Sequence, residues 1–124
     1  MTINFKRIFV KDDGDGWLDG AGEICFRLGV GGANEISGGP VAVNSGESHS
    51  VNQMVTWIHP EEEVLVVYGE VWEEDSGGTG ANDHAGTFQD TFRIKHLASK
   101  HSMHSRRLKA QGVDVTVHYE IFVE

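Results

Sequence analysis

The chain of 124 residues has a formal net charge of −9, with 39% apolar and 23% charged residues. This length favours one folded domain, spanning residues 1–124, whose core needs no disulfide or structural metal. The negative net charge argues against general nucleic-acid binding, because phosphate contacts need a dominant positive field.

Two features bear on the cellular setting. The longest apolar run, VLVVY, is too short to cross a bilayer, and the start MTINFKRIFV lacks the apolar core and cleavage site of a signal peptide. The single Cys25 lies in an apolar, strand-like context and is expected to be a buried free thiol. We therefore expect a cytoplasmic protein without a transmembrane segment, and the oligomeric state stays open.

Short strands and tight turns are predicted along the whole chain. In chain order the candidate strands are INFKRIFV, EICFRLGV, VAVN, VNQMVTWIH, VLVVYGEVWEE, TFQDTFRI, SRRLKA and VDVTVHYEIFVE. The glycine-rich pieces GVGGANEISGG and EDSGGTGAND are predicted to be loops, and HLASKHSMHS is compatible with a helical turn. The predicted fold class is all-β, an antiparallel β-sandwich of seven to eight strands.

Strict alternation is clearest in the last candidate strand. The residues expected on its apolar face are Val113, Val115, Val117, Tyr119, Ile121 and Val123. Those expected on its polar face are Asp114, Thr116, His118 and Glu120. A period of two indicates a half-buried antiparallel strand.

Two acidic clusters each follow the end of a candidate strand. The first holds Asp12, Asp13, Asp15 and Asp19, and the second holds Glu73, Glu74, Asp75, Asn82 and Asp83. Crowded carboxylates repel one another unless solvent or a cation screens them. Calcium takes about six to eight oxygen ligands, which two neighbouring loops can supply. The alternative is that both clusters are solvated turns, where Asp and Gly are common for local reasons.

The helix-flanked EF-hand loop does not fit the first cluster. A loop starting at Asp12 places Glu23 at position twelve, but Gly14, Gly16 and Trp17 then occupy positions three, five and six. Starting one residue earlier leaves Lys11 at position one. Each register satisfies half of the pattern, and the flanks read as strands, so the EF-hand is rejected.

The two clusters resemble the calcium loops of the C2 domain, a calcium-dependent lipid-binding module. The stretch VLVVYGEVWEEDSGGTGANDHAGTF looks like the family's third-loop region, and KDDGDG after the first strand resembles its first loop. The chain departs from the pattern in having Ala85 where a leucine is usual and in carrying its basic residues near the C-terminus. The resemblance implies calcium binding through Asp13, Asp15, Glu73, Asp75 and Asp83.

Two apolar residues, Trp17 and Leu18, lie between the acidic residues of the first cluster. In a functional interpretation they enter a membrane, or contact a partner, once a cation neutralises the carboxylates. In the alternative interpretation, Trp17 folds back and caps the end of the sandwich.

Six of the ten Lys and Arg residues fall between Arg93 and Lys109. This segment is either a solvated basic loop or a patch for phosphate or sulfate, and protonated histidines would strengthen such a patch. The candidate anion-binding residues are Lys95, Lys100, Arg106, Arg107 and Lys109.

Catalysis has little support in the sequence. There is no Gly-x-Ser-x-Gly elbow, and Glu70 and Glu73, at odd spacing on one strand, would point to opposite faces. The sequence predicts a non-catalytic module whose candidate metal ligands are Asp12, Asp13, Asp15, Asp19, Glu73, Asp75 and Asp83. Its loops would bind calcium and attach it to an anionic phospholipid surface or a protein.

The alternative is a structural, carbohydrate-binding or assembly sandwich with at most a structural calcium. Exposed aromatic residues on one sheet face would favour sugar binding. Trp57 and Trp72 are the candidates for that role, although alternation predicts that both lie in the core.

Overall fold

Eight strands account for most of the computed structural model, which describes residues 1–13, 22–58, 63–74, 83–97, 100–110 and 112–123. The strands are β1 (Thr2–Asp13), β2 (Gly22–Val30), β3 (Glu35–Val43), β4 (Glu47–Thr56), β5 (Val64–Glu73), β6 (Asp83–Arg93), β7 (His101–Ala110) and β8 (Val113–Phe122). A short 3-10 turn, Ile94–His96, follows β6.

The strands form two antiparallel four-stranded sheets that pack as a sandwich. The first sheet has the order β4-β1-β8-β7 and the second the order β3-β2-β5-β6. The predicted fold class is therefore confirmed, with the strand number at the upper end of the expected range.

The core lies between the inner faces of the two sheets. On β8, Val113, Val115, Val117, Tyr119 and Ile121 are each at most 1% exposed, as the alternation predicted. A register shift between Phe5 and Arg7 on β1 keeps apolar residues inward on both sides of the shift. Each fully buried apolar side chain of this size contributes about 1.5–3 kcal/mol relative to an exposed one.

A segment predicted to be a loop and a segment compatible with a helical turn both contain strand residues. The stretch GVGGANEISGG was expected to be a loop, but β3 begins at Glu35 within it. Its glycines serve packing, since a Cβ on Gly38 would lie 2.5 Å from Cζ of Phe26 on β2. HLASKHSMHS spans residues 96–105; the 3-10 turn at Ile94–His96 overlaps it only at His96, and its second half, from His101, belongs to edge strand β7.

The strand directions bring four connections to one end of the sandwich, which we call the loop end. They are the β1–β2, β3–β4, β5–β6 and β7–β8 connections, as the strand pairing shows. Two backbone hydrogen bonds fix this end, from Gly46 N to Val10 O (2.7 Å) and from Glu74 N to Glu23 O (2.8 Å). Thr2 and Phe122, where β1 begins and β8 ends, lie at the opposite end.

Candidate functional site

Both acidic segments connect strands at the loop end. Glu73, the last residue of β5, pairs with Ile24 on β2 and with Asp83, the first residue of β6. Asp13, the last residue of β1, pairs with Val113 at the start of β8. Segment 14–21 leads into β2 at Gly22, two residues before the Ile24 that pairs with Glu73. The segments 14–21 and 75–82 therefore connect to neighbouring strand ends.

The carboxylate of Glu73 lies inside the sandwich. It continues the inward row of β5 after Leu65, Val67 and Val71, and it is only 1% exposed. Glu70, three residues earlier, lies on the outer face, so the two carboxylates diverge as the odd spacing predicted. A carboxylate is a hard oxygen donor, so the chemistry of Glu73 suits calcium better than a soft metal.

The pKa of Cys25 reflects both its burial and the negative charges at the loop end. Its thiol is 4% exposed and donates a hydrogen bond to Oε2 of Glu74 over 3.3 Å. Burial raises the pKa of Cys25 to about 12, with further contributions from the hydrogen bond and from the charges of Glu74, Glu23 and Glu73. The expectation of a buried free thiol is confirmed.

The other predicted ligands are placed only in part. Asp15, Asp19 and Asp75 lie outside the described residues, as do Trp17 and Leu18, and only the backbone of Asp12, Asp13 and Asp83 is described. Among the described side chains, no three of His, Cys, Asp or Glu lie close enough together to hold a metal ion. A calcium site at the loop end would therefore draw on the acidic segments themselves.

The predicted anion-binding residues do not share one face. Arg107 and Lys109 lie on the outer face of β7, whereas Arg106 points to the inner side and contacts Asp90 on β6 at 3.0 Å. Lys95 lies in the 3-10 turn and Lys100 precedes β7, both near the end of the sandwich opposite the loop end. Alternate side chains of a strand point to opposite faces, which separates neighbours in sequence.

A different group of cations shares the outer face of the first sheet. We call this surface the basic face; its members are Lys6, Arg7, Lys11, Arg107 and Lys109. Half of the ten Lys and Arg residues thus lie on one side of an acidic chain. Burial lowers the pKa of His118, and the positive charges of Arg7 and Lys6 lower it further.

The acidic residues of this face are engaged by its cations. Arg107 donates two hydrogen bonds to Asp114, at 2.9 and 2.6 Å, and the pair holds the pKa of Asp114 below its usual value. Burial would raise the pKa of Glu120, but hydrogen bonds from Asn4 and His101 and the nearby Lys6 keep it lowered.

Sequence reasoning missed the contribution of β1 to the basic face. Lys6, Arg7 and Lys11 form no dense run in the sequence. They join Arg107 and Lys109 only because β1 and β7 flank β8 in the sheet. The sequence signal for the basic face is the presence of Lys or Arg at the polar positions of a candidate strand. It indicates a shared basic surface only once the order of the strands in the sheet is known.

Comparison with known proteins shows the fold. No model of a protein family and no curated protein sequence matches the chain. A C2 domain (domain A) of plant extended synaptotagmin 1 is similar over 99% of this chain and 94% of that domain, with a TM-score of 0.56 and 10% sequence identity.

Human GIVD cytosolic phospholipase A2 is similar in two structures. One contains methyl gamma-linolenyl fluorophosphonate (TM-score 0.52, 12% identity) and the other also contains terbium chloride (TM-score 0.50, 10% identity). In both, 96% of this chain matches 16% of the phospholipase, so the chain spans a small part of that enzyme.

The fold is therefore C2-like, as the resemblance of the acidic segments predicted. In the part of the chain that the structure describes, no helix is long and apolar enough to span a membrane.

Proposed function

We propose that the chain is a calcium-binding β-sandwich module that attaches to an anionic phospholipid surface through its loop end. The observation that carries this proposal is that both acidic segments connect strands at one end of a C2-like sandwich, next to the buried carboxylate of Glu73. The proposed ligands are Asp12, Asp13, Asp15, Asp19, Glu73, Asp75 and Asp83.

Charge is the basis of the proposed switch. The carboxylates of the two acidic segments repel one another and also repel a negatively charged surface. Bound calcium would supply positive charge at this point and satisfy several carboxylate oxygens at once. Trp17 and Leu18, which lie within the first acidic segment, would then contact the headgroup region.

The basic face supports an anionic partner. On the outer face of one sheet, five cations outnumber Asp114 and Glu120, the two carboxylates that they contact, which leaves a local positive field on a chain whose net charge is −9. Such a field attracts anionic lipid, by about 1 kcal/mol for each Lys or Arg near the membrane surface. We infer a binding role without catalysis, in keeping with the lack of a catalytic motif in the sequence.

The experiment is sedimentation with vesicles of phosphatidylcholine alone or mixed with phosphatidylserine, in calcium or in EDTA. We expect the protein to pellet only with phosphatidylserine vesicles in calcium. The double substitution Asp13→Asn with Asp75→Asn removes one carboxylate from each acidic cluster and should abolish pelleting. Glu63→Gln, an exposed carboxylate at the opposite end, is the control and should pellet like the unmodified protein.

Pelleting that is equal in calcium and EDTA, or equal in the double variant and the control, would contradict the proposal. Capture by a protein partner without vesicle binding would overturn the lipid assignment and leave the calcium site to be tested by itself.

A further inference from the structure

The outer face of the second sheet carries a depression that the proposed calcium site does not use. It has a volume of about 360 Å³, and its lining includes Arg27, Tyr68, Glu70, Thr87, Gln89 and Arg106. Strand register explains how these residues meet. Glu70 pairs with Arg27 on one side and Thr87 on the other, while Tyr68 pairs with Gly29 and Gln89.

The ring of Tyr68 lies along the sheet because Gly29 leaves room for it. A Cβ on Gly29 would lie 2.5 Å from both Cζ and Oη of Tyr68, so the ring occupies the place of the missing side chain. The hydroxyl donates a hydrogen bond to Oε2 of Glu35 over 2.8 Å. The hydroxyl end of the ring covers Gly29, and the half-buried ring also lines the depression.

The charged groups around the ring nearly balance, with the two guanidiniums of Arg27 and Arg106 near the three carboxylates of Glu35, Glu70 and Asp90. Nη2 of Arg27 contacts Oε2 of Glu70 at 2.5 Å, and Nε of Arg106 contacts Oδ1 of Asp90 at 3.0 Å. Each guanidinium therefore has a carboxylate beside it. Such a site offers many hydrogen-bond donors and acceptors with little net charge, which favours a neutral polar ligand over an anion.

Thr87 and Gln89 add hydrogen-bonding groups without charge. Both are exposed on β6, next to Glu70 and Tyr68 respectively. A hydroxyl can donate and accept, and a carboxamide offers two donors and an acceptor. Planar Arg, Glu and Gln side chains can each engage two neighbouring hydroxyl groups at once.

We propose that this depression binds a neutral saccharide, with one sugar ring stacked on Tyr68. A pyranose ring presents C–H groups on one face and hydroxyls around its edge, which matches a flat aromatic ring surrounded by paired polar side chains. The hydroxyls are hydrogen-bonded by Arg27, Glu70 and Gln89.

Tyr68, and neither tryptophan considered from the sequence, provides the stacking surface. Trp57 is 5% exposed and belongs to the core, as predicted, and its indole nitrogen donates to the carbonyl oxygen of Gly31 over 3.0 Å. Trp72 is half-buried at an outward position of β5, so the prediction that it lies in the core was wrong, but it does not line this depression. The inward row of β5 falls on the odd-numbered residues.

The test is an amide chemical-shift titration of the labelled protein with cellohexaose, maltohexaose, mannohexaose and chitohexaose, and with a heparin hexasaccharide as the charged comparator. At least one neutral sugar should shift the signals of Tyr68, Glu70 and Gln89 saturably, and equally in EDTA and in calcium. This independence from calcium separates the proposal from the function of the loop end.

Substitutions define the site. Tyr68→Ala should weaken binding by about tenfold, while Tyr68→Phe retains the stacking surface and should bind nearly as well. Gly29→Ala retains the tyrosine but displaces its ring, so it should weaken binding even if Tyr68→Ala proves unstable. Phe9→Ala, on the outer face of the first sheet, is the matched control and should bind normally.

Three results would overturn the inference. They are saturable shifts with the heparin hexasaccharide alone, shifts confined to the loop end, and no saturable shift with any of the four neutral sugars. Equal affinity of Gly29→Ala and Phe9→Ala would also contradict the role assigned to the Tyr68 ring.

Discussion

A hydrogen bond between the two sheets gives the sharpest test of the packing. Tyr119 on β8 is 1% exposed, and its hydroxyl donates to Oδ2 of Asp90 on β6 over 2.5 Å. Arg106 on β7 contacts the other oxygen of the same carboxylate at 3.0 Å. The cluster joins the first sheet to the second at the edge formed by β6 and β7.

The substitution Tyr119→Phe removes the donor but leaves the ring in contact with Phe5 and Phe88, at centroid distances of 6.0 and 6.2 Å. A hydrogen bond from a buried hydroxyl to a carboxylate contributes about 1.5–3 kcal/mol to the free energy of unfolding. An unfolding entropy of about 2.1 cal/mol/K per residue gives about 0.26 kcal/mol/K for this chain, so the melting temperature should fall by about 6–12 °C.

The assay is urea unfolding together with a thermal melt, and the matched control is Tyr68→Phe. That change removes a hydroxyl bonded to the exposed Glu35 at 2.8 Å, where water can replace it, so the loss should be below about 1 kcal/mol. Equal losses in the two variants would refute the claim that the Tyr119 bond matters because it is buried between the sheets.

Three further predictions concern packing, pH and thiol chemistry. Gly69→Ala should lower the free energy of unfolding by about 1–3 kcal/mol, because its Cβ would lie 2.5 Å from a core aromatic ring; Gly31→Ala, with its nearest contact at 3.5 Å, should be close to neutral in the same urea assay. Burial lowers the pKa of His104 and His118 in the folded protein, so on acidification these side chains take up protons at a higher pH in the unfolded chain than in the folded one. The free energy of unfolding should therefore fall as the pH drops below about 6.5. Urea unfolding at about pH 7.5 and about pH 5.5 should show this fall in the free energy of unfolding, and the fall should be smaller in His118→Gln. A fall of the same size in His118→Gln and in the unmodified protein would contradict the role given to His118. Cys25, with its pKa raised to about 12, should resist a thiol reagent in the folded protein and react after unfolding in urea; fast labelling of the folded protein would contradict its burial.

Local patterns were enough to predict the strands of the core. The alternation in β8 correctly assigned Val115 and Ile121 to the inner face, because a period of two needs no knowledge of neighbours. The same pattern put Glu120 on the polar face but did not predict its burial, at 8% exposure. That burial depends on Asn4, Lys6 and His101, which only the strand order brings to it.

Glycine was the main source of error. Gly38 and Gly39 suggested a loop, yet both lie in β3. Gly38 lies against the Phe26 ring, and Gly39 adopts a φ of +95° that side chains disfavour. The sequence does not distinguish a glycine that leaves room for a side chain of the neighbouring strand from a glycine that forms a turn.

The two acidic segments at the loop end could be located from the sequence, whereas the basic face and the Tyr68 depression could not. Each acidic segment is continuous and follows a recognisable strand, so its position is local information. The basic face combines residues of β1 and β7, and the lining of the Tyr68 depression combines residues of β2, β5, β6 and β7. In the depression, Gly29, Glu35 and Tyr68 come together only through the pairing of β2 with β3 and β5.

A thermal melt in EDTA, in calcium and in magnesium tests the central claim most directly. Calcium at one hundred times its dissociation constant should stabilise the folded state by about 2.7 kcal/mol. With the unfolding entropy used above, the melting temperature should rise by about 10 °C, and magnesium should produce little change. The rise should vanish in the Asp13→Asn and Asp75→Asn double variant and persist in Glu63→Gln. Identical melts in all three solutions would contradict the account and leave the two acidic segments as solvated turns.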